Sequence, residues 1–393
     1  MSSGKASRLL LATLLFWFIC VAIVSVRVYL HPGSHSVFTT YRTAGGAWLH
    51  QGEIYNRTAG TFLYSPLIAA IYSPFALVSQ NTAEVIWRLL LGLALPLALW
   101  FNARELFVFS EKEFAWLFVL VLPLTLSSLN DGQANLILIV LFLSATGAAS
   151  QGCWLTCAFC VSFAVYWKIY PVVLAPLLAV IFPKKLAARI FLMFFVLFVV
   201  SLLLQKPSYV LHEYRSWFVN LASDTRRAQE YYGKWRDFYL LLRLTGIPIS
   251  TMWWNIAQAT AAIIAAGICL LGTIRRQPSV TLLFGAMSLA IAWILLFGPA
   301  TEAATYVLIA APSAYLLIFG WSEASQPALR TTSTITYLGV LGADILNSWF
   351  HIKRGIYLVH AIQPFFALCF CVALFFWWRG QSFHEMRPDE SRS

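Results

Sequence analysis

Long apolar runs separated by short polar breaks fill nearly the whole chain. Runs at residues 9–30, 83–101, 114–128, 134–150, 152–167, 169–182, 190–204, 251–274, 279–297, 304–321, 331–348 and 356–378 each predict a membrane-crossing helix. One more stretch, YSPLIAAIYSPFALVS at 64–79, is bracketed by Pro66 and Pro74 and is too short to cross comfortably. It reads as a re-entrant or interfacial segment. The pattern therefore predicts an all-α polytopic membrane protein with about twelve transmembrane helices plus that one dipping segment, in a single domain over residues 1–393.

Composition sharpens this picture. Of 393 residues, 60% are hydrophobic and 11% charged, and the mean hydropathy is +0.73, so no soluble domain is expected. The run from Leu9 to Leu30 is too long for a signal-peptide core and reads as a retained first helix. The net charge of +11 has two uses, holding cytoplasmic loops inside and attracting an anionic ligand. Nothing in the chain resembles a nucleic-acid-binding motif. Cys153, Cys157 and Cys160 share a helical face, but no further His or Cys completes a metal-ligand set, so they read as packing residues.

Orientation follows from the basic breaks. Lys5 and Arg8 place the N-terminus inside, and the loops PKKLAAR at 183–189 and IRRQ at 274–277 should join it. Parity allows this only if 64–79 does not cross. The outer face then receives a first loop at 31–63, a second at 205–250, the Lys168 turn and GPATEAAT at 298–305, while 379–393 forms a cytoplasmic tail. Ionisable residues at the rim of the hydrocarbon thus gather on one side, which marks a site.

Each candidate group has a structural alternative. In NDGQAN, Asn130 or Asp131 can cap a helix opening there, or Asp131, Gln133 and Asn135 can face a sugar. Lys168, between Trp167 and Tyr170, is either a snorkelling lysine or a holder of lipid phosphate. Glu302 in GPATEAATY either belongs to a helix start capped by Thr301 or is a catalytic carboxylate. Arg226, Arg227 and the KWRD run at 234–237 are either a solvated loop or a phosphate clamp.

Taken in order, an outer loop ending GEIY, then FLYSP, DGQANL, WKIYP and GPATEAATYV make the chain similar to the GT-C superfamily of polyprenol-phosphate-sugar-dependent glycosyltransferases. It most resembles glycosyltransferase family eighty-seven, which includes alpha-1,2-mannosyltransferases. The resemblance implies a GT-C-like fold and transfer of a hexose such as mannose from a polyprenyl-phosphate-linked donor to a lipid or glycan acceptor; no cofactor is identified in the sequence. That family usually carries an acidic base early in the first outer loop. Here SHSVFTTY offers His35 and Ser36 instead. The base is then sought in Glu302, Asp131 or His35, with Glu53 behind them, or the activity is altered.

Inverting transfer needs a base for the acceptor hydroxyl and cations for the departing phosphate. Lys168, Arg88, Arg226 and Arg227 are the phosphate candidates, and Tyr41, Trp48 and Tyr64 the stacking ones. A flippase for a lipid-linked glycan and an inactive assembly subunit are the competing readings.

Overall fold

The computed structural model describes residues 3–34, 36–55, 62–107, 109–223, 235–247, 249–299, 301–322, 326–350 and 357–384. All regular structure among them is helical. The first half comprises α1 (Ser3–Leu30), α2 (Phe38–Leu49), α3 (Pro66–Ala76), α4 (Gln80–Ala98) extended by a π turn, the single turn α5 (Arg104–Leu106), α6 (Glu111–Asp131), α7 (Asn135–Ser150) and α8 (Trp154–Trp167). There follow a 3-10 turn at Tyr170–Val173, α9 (Leu174–Ile181), α10 (Pro183–Leu204), α11 (Pro207–Ala222), α12 (Phe238–Leu244), α13 (Thr251–Ile274) and α14 (Ser279–Phe297). A 3-10 segment at Ala303–Ile309 leads into α15 (Ala310–Gly320), and α16 (Pro327–Phe350) and α17 (Tyr357–His384) end the fold.

Local chemistry sets these boundaries. Ser110 and Glu113 form a reciprocal capping box at the start of α6. Ser79 and Ser250 cap α4 and α13, and Asp237 caps α12. Proline occupies the first turn of α3, α10 and α11, where its missing N–H removes no helical bond.

Each of the twelve predicted runs is helical, but they are not equal. Among the described residues, eight helices are long and apolar enough to cross a bilayer. The stretches 135–150, 154–167 and 170–181 are shorter apolar helices, and α16 is long but carries more polar residues. Two boundary readings change. PKKLAAR is no loop: Pro183 starts α10, so Lys184, Lys185 and Arg189 ride on its first turns. NDGQAN does not open a helix at Asn130. Asn130 and Asp131 close α6, Gly132 caps it in the left-handed region (φ 67°), and α7 begins only at Asn135.

Contacts between helix ends establish how the chain threads. Asn81 at the start of α4 donates to Tyr29 O at the end of α1 (2.8 Å). Arg27 of α1 bonds the Asn130 side chain at the end of α6. Lys168 after α8 donates to Asn135 at the start of α7 (2.8 Å). Gln205 after α10 donates to Trp48 O of α2 (3.3 Å), and Gln363 in α17 to Ala303 O after α14 (3.4 Å). These ends lie together. The opposite end collects the Phe182–Pro183 turn, packed on Trp154 at the start of α8 (5.0 Å), and the Arg275–Gln277 turn.

The segment 64–79 enters and leaves at the first of these ends. Ser65 N donates to Tyr166 O (3.2 Å), and Arg42 of α2 grips Phe75 O (3.0 Å) and Val78 O (2.8 Å). α3 lies so close to α2 that a Cβ on Gly45 would fall 2.5 Å from the Tyr72 carbonyl carbon. The segment begins and ends at this one end without crossing, and helices on either side of it alternate in direction.

Candidate active site

A buried ion pair organises the shared end. Glu84 and Arg88, one turn apart on α4, are both inaccessible to solvent and meet at 2.5 Å. Ser36 donates to Glu84 (2.9 Å), and Arg88 donates to Ser36 (3.0 Å) and to Asn130 O (3.0 Å). Trp87 Nε1 donates to Gly132 O (2.9 Å), and Val37 N to Asp131 O (3.1 Å). The entry to α2, the start of α4 and the end of α6 are locked together. Arg88 is therefore spent on the protein; the phosphate-binding role expected of it finds no open guanidinium face in this arrangement. Ser36 lies where the resemblance leads one to look for an acid, and its hydroxyl instead reaches the carboxylate of Glu84.

Beyond this clamp, polar groups converge around Lys168. The residue follows the last turn of α8 and is partly accessible. Its Nζ donates to Asn135 Oδ1 (2.8 Å), which Tyr170 also bonds (3.1 Å), and it lies over the rings of Tyr64 (5.7 Å) and Tyr170 (5.4 Å). Burial pulls the Lys168 ammonium down to about 8, against the opposing attraction of Glu302. The Glu302 charge also acts on Tyr41, Tyr170 and Arg236.

Glu302 is partly exposed and precedes the 3-10 segment. Glu302, not Thr301, caps this segment: the Thr301 hydroxyl turns back to Ile294 O (2.7 Å), while Glu302 and Thr305 form a reciprocal capping box in which Thr305 Oγ1 accepts from Glu302 N (3.2 Å) and the Glu302 carboxylate accepts from Thr305 N. Ser128 Oγ donates to Ala304 O (3.4 Å), which ties the end of α6 to this strand of chain. Asp131, one turn further along α6, is partly exposed and its charge acts on Arg88 and Asp344. Gln133 is partly exposed, and Asn135 is buried against Lys168.

Tyr41 and Tyr64 share a hydrogen bond (2.7 Å) and both are buried; Tyr41 also stacks on Tyr72 (4.9 Å, 27°). Burial pushes the Tyr41 hydroxyl up to about 12, so it remains neutral. Trp48 is buried as well. These rings wall the site from behind; the sugar-stacking role expected of them has no open ring face here. Glu53 is exposed. His35, Arg226 and Arg227 lie outside the described residues. Among the described residues no three His, Cys, Asp or Glu side chains gather as a metal site.

Arg236, in the KWRD run read as either a solvated loop or a phosphate clamp, is buried and held by partners that the pattern did not single out. Arg236 N donates to Thr301 O (2.8 Å), its Nη1 to Gln363 Oε1 (2.7 Å), and Tyr306 donates to Arg236 O (2.8 Å). Burial pulls Arg236 down to about 10, with Tyr306, Asp344 and Glu302 opposing. Gln363 was detectable as a lone amide in an apolar run.

Such a polytopic helical bundle, with its charged groups converging at one end, defines a membrane protein built for chemistry at a bilayer face. Comparison makes this specific: the chain belongs to glycosyltransferase family 87, whose family model matches residues 62–299. It is a membrane glycosyltransferase. The matched stretch includes Tyr64, Asp131, Asn135, Lys168 and Arg236, while Glu302 falls just beyond it and Gln363 well beyond it. No curated protein matches the chain significantly.

The clamp has a direct test in thermal unfolding of the detergent-purified protein. Gly132→Ala forces a Cβ to 2.4 Å from Arg88 Nη1 at positive φ, and a loss of about 1–3 kcal/mol is expected. Glu84→Ala strands the Arg88 charge and is expected to cost more, about 3–5 kcal/mol. Wild-type melting of both variants would remove the clamp from the account.

Proposed function

We propose that the enzyme moves a hexose from a polyprenyl-phosphate donor to a lipid or glycan hydroxyl at the outer face of the membrane. The observation that carries this reading is the placement of Glu302 within electrostatic reach of Lys168, Tyr170, Tyr41 and Arg236, a carboxylate and two cations at one end of the bundle. Glycosyl transfer from a phosphate uses that combination. A carboxylate takes the proton of the acceptor hydroxyl as its oxygen attacks the anomeric carbon. The bond from that carbon to the phosphate oxygen breaks, and a cation meets the charge left on the phosphate. Lys168 is the cation in this reading and Glu302 the base, with Asp131 as the rival base. Asn135 fixes the Lys168 ammonium rather than touching the sugar, and Gln133 is left as a sugar-facing amide.

Placement on the outer face is supported by the basic residues of the opposite end. Lys184, Lys185, Arg189, Arg275 and Arg276 cluster there, at helix starts and turns, as cytoplasmic ends do. At the outer face nucleotide sugars are absent, which favours a lipid-linked donor.

Sugar transfer from a purified polyprenyl-phosphate hexose in detergent tests the reaction itself. Glu302→Gln keeps the backbone geometry and removes the base, so turnover should fall by roughly a hundredfold or more. Asp131→Asn should leave most of the turnover. A near-normal Glu302→Gln enzyme beside a collapsed Asp131→Asn enzyme would move the role to Asp131.

The position of Lys168 predicts a pH dependence of donor binding. Its ammonium is charged below about 8 and neutral above, so the donor KM should rise as pH passes through that value. Lys168→Arg, charged throughout, should flatten the profile. An unchanged slope in Lys168→Arg would exclude Lys168 as the phosphate cation.

Orientation is open to cysteine labelling on a cysteine-free background. A probe confined to the outside should reach a cysteine at Ser223 and not one at Arg276. The reverse pattern would place the site in the cytoplasm.

A further inference from the structure

A polar cavity on the flank of α11 shares no lining residue with the Lys168 and Glu302 groups. It measures about 300 Å³, and His212, Arg215, Ser216, Asn220 and Ser223 of α11 line it together with Tyr55 of the first outer loop. The α11 residues are three and four apart, so they occupy one face of the helix. A different face, with Val210, Glu213, Tyr214 and Trp217, is buried against the rest of the protein. The fold does not consume the cavity face. The side chains of His212, Arg215 and Ser216 make no hydrogen bond among the described residues, and His212 and Arg215 are exposed.

This region also grips the chain that leads to Lys168. Asn220 Nδ2 donates to Phe62 O (3.4 Å), Trp217 Nε1 to Leu63 O (3.0 Å) and the Tyr55 hydroxyl to Tyr64 O (2.6 Å). Three successive carbonyls are thus held from α11 and the first outer loop. The Tyr64 ring is one of those over which the Lys168 ammonium lies (5.7 Å). On the α11 side, the Glu213 carboxylate accepts from Ile54 N (3.2 Å) and steadies the residue before Tyr55. Residues 62–64 therefore tie the cavity to the Lys168 site.

We infer that this cavity is a distal subsite for the acceptor, and that the acceptor is a glycan of more than one sugar unit. A unit already in place binds here while the attacking hydroxyl lies at Glu302. The inference rests on the transfer proposed above and decides the acceptor class, left there as lipid or glycan. Hydrogen-bonding capacity carries it. Arg215 and His212 donate, and the Ser216 hydroxyl both donates and accepts. Asn220 spends its Nδ2 on Phe62 O and keeps Oδ1 as an acceptor. Sugar hydroxyls need both kinds of partner. A phosphate diester only accepts, and would leave Asn220 Oδ1 unused. The Tyr55 ring, pinned at its hydroxyl, supplies the apolar surface that the C–H face of a sugar ring covers. The volume is at the small end of the range for small-ligand sites, which suits a sugar ring and not a lipid tail.

The test measures binding of methyl glycosides of one, two and three mannose units to the full-length protein in detergent, without donor, by saturation-transfer NMR. The matching glucose series is the second probe. In at least one series, affinity should rise about tenfold from one unit to three. Arg215→Ala removes an exposed side chain with no hydrogen bond among the described residues, so melting should not change. It should lower trisaccharide affinity about tenfold, back to that of the single-unit glycoside. Ser216→Phe, which fills the cavity, should do the same. A trisaccharide carrying a diazirine on its reducing-end unit should label peptide 212–223. Affinity independent of length in both series, unaltered trisaccharide binding by both folded variants, labelling confined to other peptides, or displacement of the trisaccharide by an equal concentration of inorganic phosphate would each overturn the inference. The last result would mark an anion site instead. The two proposals fail separately. Length-dependent glycan binding without sugar transfer from a polyprenyl-phosphate hexose would remove the donor reaction and leave the subsite. Transfer accompanied by glycan binding that ignores length would remove the subsite and leave the reaction.

Discussion

A guanidinium buried inside a helical membrane protein must be satisfied by the protein itself, and the charge of Arg88 imposes that demand here. Glu84 neutralises it, Ser36 bridges the pair, and Asn130 O takes another of its donors. Each partner comes from a different part of the chain. A buried pair of this kind contributes little net stability compared with apolar packing, but breaking it leaves a charge with nowhere to go. The interaction therefore selects one arrangement of the α4 start, the α6 end and the entry to α2 over others. Gly132 permits it, because any side chain there would occupy the space of the guanidinium.

Site geometry follows from that lock. Holding the end of α6 fixes the turn to α7 and so places Asn135. Asn135 in turn accepts from Lys168 and Tyr170, which sets the ammonium against two aromatic faces. Ser128, on the same α6 end, reaches the chain after Glu302. The carboxylate and Lys168 thus derive their positions from one rigid corner. Arg236 is held separately, through Thr301, Tyr306 and Gln363, so the second cation depends on the C-terminal helices.

Much of this was legible in the sequence. Period-free apolar runs gave the helices, because a bilayer demands that the backbone satisfy itself within each segment. The short Pro-bracketed stretch at 64–79 announced that it would not cross, and Lys168 and Glu302 stood out as charges at run ends. Other features were not legible because they depend on distant partners. Nothing local to Arg88 tells whether its charge faces a ligand or Glu84, since i,i+4 spacing fits both a surface pair and a buried one. Tyr41 and Tyr64 looked like exposed platforms because loop aromatics often are; packing of α3 on α2 buries them. NDGQAN carried both a start and a stop signal, and the left-handed Gly132 decided for the stop.

The central claim is that Lys168 and Glu302 act on one substrate molecule in one site. A double-mutant cycle on kcat/KM for sugar transfer measures this, using Lys168→Gln, Glu302→Gln and the pair. Groups that share a transition state lose their effects together, so the double variant should be little worse than the worse single one, with a coupling above about 1 kcal/mol. Additive losses, within about 0.5 kcal/mol, would show that the two residues work independently and would contradict the account.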